Sequence, residues 1–145
     1  MKTSNVNTQP FKVKRILLLA FAFMAIGTLF ELYLLEHFED TLQLIPILCI
    51  GTSILIMLIL FLKRTTIVKN LFKITLVLTA LSGFVGVYLH LNANYEFELE
   101  MQPTAHHWDL FVESLSGAFP ALAPLSMIIL ALIGYSYLLL INQKR

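Results

Sequence analysis

Carboxylates and histidines are the side chains of this protein that could bind a cation or transfer a proton near neutral pH, and they fall in two stretches. The first stretch spans residues 31–40 and the second spans residues 90–113. Together they hold all nine acidic residues and all four histidines of the 145-residue chain. Mixed carboxylate and imidazole ligands suit zinc, iron, copper or manganese, whereas carboxylates alone suit calcium or magnesium. The pattern therefore predicts a divalent metal site, with the identity of the metal left open.

The predicted metal site takes its ligands from both stretches. Its ligands are predicted to be Glu31, Glu36, Glu39, His90, Glu96, Glu98 and Glu100. The secondary candidates for metal ligands are His37, His106, Asp109 and Glu113. No HExxH or ExxH motif places two ligands on one helix face, so the fold has to bring these residues together.

The elements that must bring the predicted ligands together are membrane-spanning helices. The chain is 58% hydrophobic and only 13% charged, whereas an ordinary globular domain is roughly 25% charged. A hydrocarbon core of about 30 Å takes about 20 helical residues, and four apolar runs meet that length: 16–35, 42–62, 71–91 and 121–141. Backbone groups find no water in hydrocarbon, so each run is expected to be helical. The sequence predicts one all-α integral membrane domain over residues 1–145, a bundle of four transmembrane helices.

The orientation of the bundle follows from its basic residues. They lie before the first run, after the second run and at the C-terminus: Lys2, Lys12, Lys14, Arg15, Lys63, Arg64, Lys69, Lys73, Lys144 and Arg145. Because short cytoplasmic segments carry an excess of lysine and arginine, both termini are predicted to be cytoplasmic, in a bacterial cytoplasmic (inner) membrane. Acidic residues contribute little to this selection. Their segregation on the outer side therefore needs a separate explanation.

Glu31 is the acidic residue predicted to lie within a span, about one turn before the end of the first one. An ionised carboxylate facing lipid is costly there, so Glu31 is expected to face protein, a cation or a water-filled cleft. A continuous helix at 100° per residue would place Glu36 and Glu39 near the same face. His90 lies at the same membrane level and would meet Glu31 if the first and third helices are neighbours.

The outer loop, residues 92–119, is expected to be structured. Residues 95–101 alternate apolar and acidic side chains, which is the period of a β-strand with one acidic face. Residues 104–116 have helical periodicity, with Thr104 as the predicted N-cap. The apolar side of that helix carries Trp108, Phe111, Val112 and Leu115, and the opposite side carries His106, Asp109 and Glu113. An amphipathic helix of this kind is predicted to lie on the membrane surface.

These patterns favour two functions over ion transport, which would need charged residues at mid-membrane, and over haem-based electron transfer by His37 and His90, which would lack basic partners for the haem propionates. The first is an outward-facing acidic and histidine-containing pocket that binds a divalent cation or a cationic group. The second is a non-enzymatic accessory or assembly subunit of a larger membrane complex, which docks through the outer loop. Beyond the lipid bilayer, the expected partner is a membrane protein or a second copy of the chain. The chain has no nucleophile elbow and no glycine-rich phosphate loop, which disfavours an enzyme, and its net charge of +1 does not indicate nucleic acid binding.

Overall fold

The computed structural model describes residues 9–143, and every regular element in that range is helical. Lys2, Lys144 and Arg145, on which part of the predicted orientation rests, lie outside the described residues. The helices are α1 (Gln9–Leu34), α2 (Thr41–Leu62), α3 (Thr66–Met101), α4 (His107–Ser114) and α5 (Leu125–Asn142). All except α4 are long and apolar enough to cross a membrane. The prediction of an all-α protein with four candidate membrane-spanning helices is confirmed.

The helix α3 is the centre of the bundle. It packs extensively against α5 and α2 and also carries α4, whereas α1 packs mainly against α5 and less extensively against α2. In the core, the rings of Phe21 (α1) and Phe72 (α3) meet edge to face with centroids 5.8 Å apart. The buried hydroxyls of Ser53 (α2) and Thr79 (α3) lie 3.3 Å apart, which gives the bundle an interhelical hydrogen bond away from water.

Small residues allow α3 and α5 to approach closely. Gly83 and Gly86 of α3 both face Pro124, and Gly134 of α5 faces the side chain of Leu76. At all three glycines a Cβ atom would lie within 3 Å of the opposing helix or the turn that precedes it. Close approach of this kind is how helices associate in lipid, where little hydrophobic force drives them together.

The predicted acidic strand at residues 95–101 is wrong, because α3 continues through this segment to Met101. Extending an existing helix needs no new nucleation, and glutamate, leucine and methionine are good helix formers. The side-chain amide of Asn92 also donates a hydrogen bond of 2.8 Å to Glu96, one turn away. The helix stops before Pro103, whose ring disfavours helical backbone at Gln102. At 36 residues and about 1.5 Å per residue, α3 exceeds the ~30 Å hydrocarbon core.

The helix α1 ends in a left-handed turn at Glu36. Its φ of 52° makes it the one non-glycine residue with positive φ in the described range. The backbone N–H of His37 donates to the carbonyl of Leu32 (2.9 Å), and the N–H of Glu36 donates to the carbonyl of Tyr33 (3.1 Å). These two bonds form a Schellman motif, in which the left-handed position usually belongs to glycine.

Replacing Glu36 with glycine is therefore expected to stabilise the protein by about 1 kcal/mol, because the left-handed conformation costs an L-residue about that much. The free energy of unfolding in detergent would measure the effect. Glu39→Gly is the matched control, since Glu39 lies in the same turn with negative φ. Equal destabilisation by both substitutions would contradict the assignment of strain to Glu36.

The turn between α1 and α2 also changes the predicted positions of its carboxylates. Because α1 ends at Leu34, Glu36 and Glu39 do not extend the helical face of Glu31, and the shared face predicted for them is wrong. Asp40 is used as the N-cap of α2, where its carboxylate accepts a hydrogen bond from the N–H of Thr41 (2.6 Å). This turn therefore ends one helix and begins the next.

The amphipathic helix of the outer loop is present, but α4 is shorter than predicted. It begins at His107, and its N-cap is His106, whose Nδ1 accepts from the N–H of Trp108 at 3.2 Å; Thr104 is not the N-cap. Its buried residues are Leu110 and Ser114. After α4 the chain passes through turns at residues 121–124, and α5 begins directly after Pro124.

Candidate functional site

The candidate site consists of residues 92–124: the C-terminal end of α3, α4 and the turns that lead to α5. We call it the outer cap, after the side of the membrane on which the sequence predicts it. Asn94 is buried inside this cap, and only 1% of the surface of Asn94 is exposed. Its amide nitrogen donates to the carbonyls of Ser114 (2.8 Å) and Phe119 (2.7 Å), and its Oδ1 accepts from the N–H of Phe119 (2.9 Å). One side chain thus joins α3 to the end of α4 and to the segment beyond it. Sequence reasoning missed Asn94, because nothing in its local pattern distinguishes it from the exposed Asn92.

Further contacts hold α4 and the loop after it against the end of α3. A Cβ atom at Gly117 would lie 2.5 Å from the Cγ of Asn94, so the loop backbone packs directly on that amide. The hydroxyl of Tyr95 and Nδ1 of His107 lie 2.7 Å apart. The amide nitrogen of Gln102 donates to a carboxylate oxygen of Glu113 at 2.9 Å. These contacts preorganise the cap.

The apolar side of α4 is uncovered by the rest of the described chain. We call it the α4 ridge, and it consists of Trp108, Phe111, Val112 and Leu115, all of which are exposed. Trp108 is 64% exposed, and its ring lies 5.7 Å from that of Phe111. The face that α4 packs against the protein is the one with Leu110 and Ser114. The α4 ridge is therefore available to a membrane or a partner.

The predicted metal ligands do not converge. Among the residues that the structure describes, no three histidine, cysteine, aspartate or glutamate side chains come close enough to hold a metal ion together. Glu31 is exposed on the surface of α1. The other exposed carboxylates among the candidates are Glu36, Glu39, Glu96, Glu100, Asp109 and Glu113, and Glu98 is half-buried. The metal site stays a prediction.

Two of the candidate histidines do come together. The rings of His37 and His90 lie 6.3 Å apart, and the ring of Phe119 lies 5.9 Å from His90. Nδ1 of His90 is 3.1 Å from the carbonyl oxygen of Pro120. Because a carbonyl only accepts, Nδ1 carries the proton in this contact, and the lone pair of neutral His90 is on Nε2.

The environment of His37 favours its neutral form. Partial burial removes water from its ring and lowers the pKa of His37 below its usual range, and the nearby His90 lowers it further. His37 is therefore expected to be uncharged at neutral pH, with one nitrogen able to accept a proton or ligate a cation. The expected meeting of His90 with Glu31 required the first and third helices to be neighbours, and α1 and α3 are not among the extensively packed pairs of helices. The ring found near His90 is that of His37.

The outer cap presents an exposed surface to possible ligands or partners. It combines exposed carboxylates with an uncovered apolar ridge. The pair of His37 and His90 lies next to it, with Nδ1 of His90 3.1 Å from the carbonyl oxygen of Pro120. No protein-family model, curated protein or solved structure matches this chain.

Proposed function

We propose that this protein is a non-enzymatic accessory subunit of a membrane complex, and that its outer cap docks onto a basic extracytoplasmic segment of a partner membrane protein. The observation that carries this proposal is the exposed α4 ridge on a helix whose position is fixed by Asn94. An apolar surface on a preorganised scaffold loses little conformational entropy on binding. Aromatic residues such as Trp108 and Phe111 are typical of protein interfaces.

The charge around the α4 ridge favours a protein partner over the bilayer surface. Helices that lie on membranes usually carry lysine and arginine on their polar face, whereas α4 carries Asp109 and Glu113. Residues 74–143 contain no lysine or arginine at all. A partner with positive charge would complement this surface and would be guided to it.

The distribution of the carboxylates favours a protein partner over a metal ion. Glu96, Glu100, Asp109 and Glu113 are exposed on two different helices. Chelation of a single ion requires oxygen ligands that converge at about 2.0–2.6 Å from it. Carboxylates distributed over a cap instead suit an extended basic surface. The sequence predicted that the acidic surface binds a divalent cation or a cationic group. We propose that this ligand is a cationic group on a partner protein.

Extraction of the protein from its native membranes with mild detergent tests this function. We expect a complex larger than the isolated chain, whose other component carries a basic extracytoplasmic segment. The double substitution Asp109→Asn/Glu113→Gln and the single substitution Trp108→Ala should each reduce the recovered complex about tenfold, since interface anchors are typically worth more than 1 kcal/mol. Glu31→Gln/Glu39→Gln removes the same charge away from α4 and should leave the complex intact. Recovery of the chain only as a monomer or homo-oligomer would contradict the proposal.

The proposed orientation places both termini in the cytoplasm and the outer cap on the extracytoplasmic side of a bacterial inner membrane. It is supported by the lysines and arginines, which lie at one end of the helices. Reporter fusions after Arg145 and within the cap test it. A phosphatase reporter that is active only in the cap is expected, and activity at the C-terminus would contradict the orientation.

A second candidate function is binding of a nitrogen-preferring divalent cation, such as zinc or copper, by His37 and His90. The 6.3 Å ring separation and the carbonyl contact that orients His90 favour it, because ligating histidines usually donate their other N–H to such a group. We expect zinc to raise the unfolding temperature of the purified protein, and His37→Asn to abolish that increase. His106→Asn is the matched control, since asparagine keeps the N-cap of α4. No effect of zinc, copper or a chelator on unfolding would exclude this function.

A further inference from the structure

A groove of about 710 Å³ opens at the basic end of the bundle, opposite the outer cap. It lies between α1 and the end of α2, where these helices pack less extensively than α1 packs against α5. Its rim carries Lys14, Arg15 and Arg64, and α5 contributes Tyr137 and Leu140 to its wall. The groove therefore combines three cations with an apolar interior.

Apart from Phe11, which precedes Lys14, the apolar residues that α1 and α2 contribute to the groove lie deeper in the apolar runs than its cations. Lys14 and Arg15 directly precede the apolar run of α1, and Arg64 follows the end of α2. Leu18 is four residues after Lys14, which at about 1.5 Å per residue is about 6 Å deeper along the helix. The rim thus corresponds to the headgroup level of a bilayer, and the interior corresponds to the first part of the acyl chains.

The charge of the rim is not neutralised by carboxylate side chains of this chain. All nine acidic residues are in the stretches 31–40 and 96–113, which lie at the opposite ends of the spanning helices. Three cations around one opening are therefore complementary to an external anion. The leucines and Tyr137 that line the groove would add no favourable contact with a small soluble anion, but they can pack against a hydrocarbon chain.

We propose that this groove is a binding site for an anionic phospholipid of the adjoining leaflet. Its phosphate contacts Lys14, Arg15 and Arg64, and one acyl chain lies along Leu18, Leu140 and Tyr137. Leu19 and Phe61 line the same groove and are each 61% exposed, so the groove is open sideways to the bilayer. Basic pockets between membrane helices recognise anionic headgroups in this way.

Reconstitution of the full chain into phosphatidylcholine vesicles that contain phosphatidylglycerol tests the site. After detergent extraction, native mass spectrometry would count the phosphatidylglycerol molecules retained per chain. We expect wild-type protein to retain one, and Lys14→Gln/Arg15→Gln/Arg64→Gln to retain it at least about tenfold less, since each basic residue contributes about 1 kcal/mol near an anionic headgroup. The control Lys12→Gln/Lys69→Gln/Lys73→Gln removes the same charge outside the groove and should retain the lipid.

Leu140→Trp provides a second variant that keeps all three cations but fills the interior, and we expect it to reduce retention as well. Equal loss in both triple variants would overturn the proposal, because the attraction would then be diffuse. Retention in the groove variants would also overturn it. Displacement of the lipid by inorganic phosphate as readily as by phosphatidylglycerol would show that the site binds a free anion and does not select a lipid.

Discussion

Replacing Asn94 with aspartate is expected to release α4 and the segment after it from α3 while the bundle of four long helices stays folded. The amide nitrogen of Asn94 donates to two carbonyl oxygens in a buried position. Aspartate would remove both donors and place a carboxylate against the carbonyls of Ser114 and Phe119. Only the N–H of Phe119 would still donate to this carboxylate. A buried charge without a charged partner costs about 3–5 kcal/mol, which exceeds what a short helix such as α4 contributes on its own.

Hydrogen exchange of the backbone amides would detect this release. We expect the N–H groups of α4 and of Phe119, which is bonded to Asn94, to exchange far faster in Asn94→Asp, whereas the core of α3 around Thr79 stays protected. Asn92→Asp is the matched control. Asn92 is exposed and bonds only to Glu96 among the described side chains, so its substitution should change the exchange little. Equal effects of the two substitutions would contradict the role assigned to Asn94.

Replacing Gly83 with alanine is expected to destabilise the packing of α3 against α5 by about 1–3 kcal/mol, the usual cost of overpacking. The added Cβ would lie 2.8 Å from the carbonyl oxygen of Pro124 and 3.0 Å from the Cβ of Met127. Neither atom is the end of a flexible side chain, so the helices must separate. The loss of stability would appear as a lower unfolding temperature in detergent.

Gly27→Ala is the control for that substitution. Gly27 lies on α1, and a Cβ atom added there would have no heavy atom of a neighbouring element within 4 Å. Alanine is also a better helix former than glycine by about 1 kcal/mol. We expect Gly27→Ala to be neutral or stabilising. A similar loss in both variants would show that α3 and α5 are not held together by this close approach.

The four long helices were predictable because the signal that defines them is local. A run of about 20 apolar residues has one low-energy state in hydrocarbon, whichever neighbours it packs against. The segment 95–101 was mispredicted for the opposite reason. Its alternation fits a strand in isolation, but the chain enters it as part of α3, and propagating a helix costs less than starting a new element.

The site depended on information that the sequence pattern does not carry. Glu36 and Glu39 would share a face with Glu31 only if α1 continued, and the left-handed backbone of Glu36 ends that face. His37 and His90 are 53 positions apart, and their pairing requires the geometry of the α1–α2 turn. The role of Asn94 likewise emerges only when α4 is folded back on α3. The residue types indicated which side chains could bind a ligand, but not which side chains would lie next to each other in the fold.

The identity of the molecule that contacts the α4 ridge tests the central claim most directly. A photoactivatable benzoylphenylalanine at position 111, in place of Phe111, would be activated in native membranes, and the same residue at position 81, in place of the exposed Leu81 of α3, would serve as the lipid-facing control. We expect the probe on α4 to form an adduct with a lysine- and arginine-rich extracytoplasmic peptide of one membrane protein, and the probe at position 81 to react with lipid. Adducts with phospholipid alone at both positions would contradict a docking function for the outer cap.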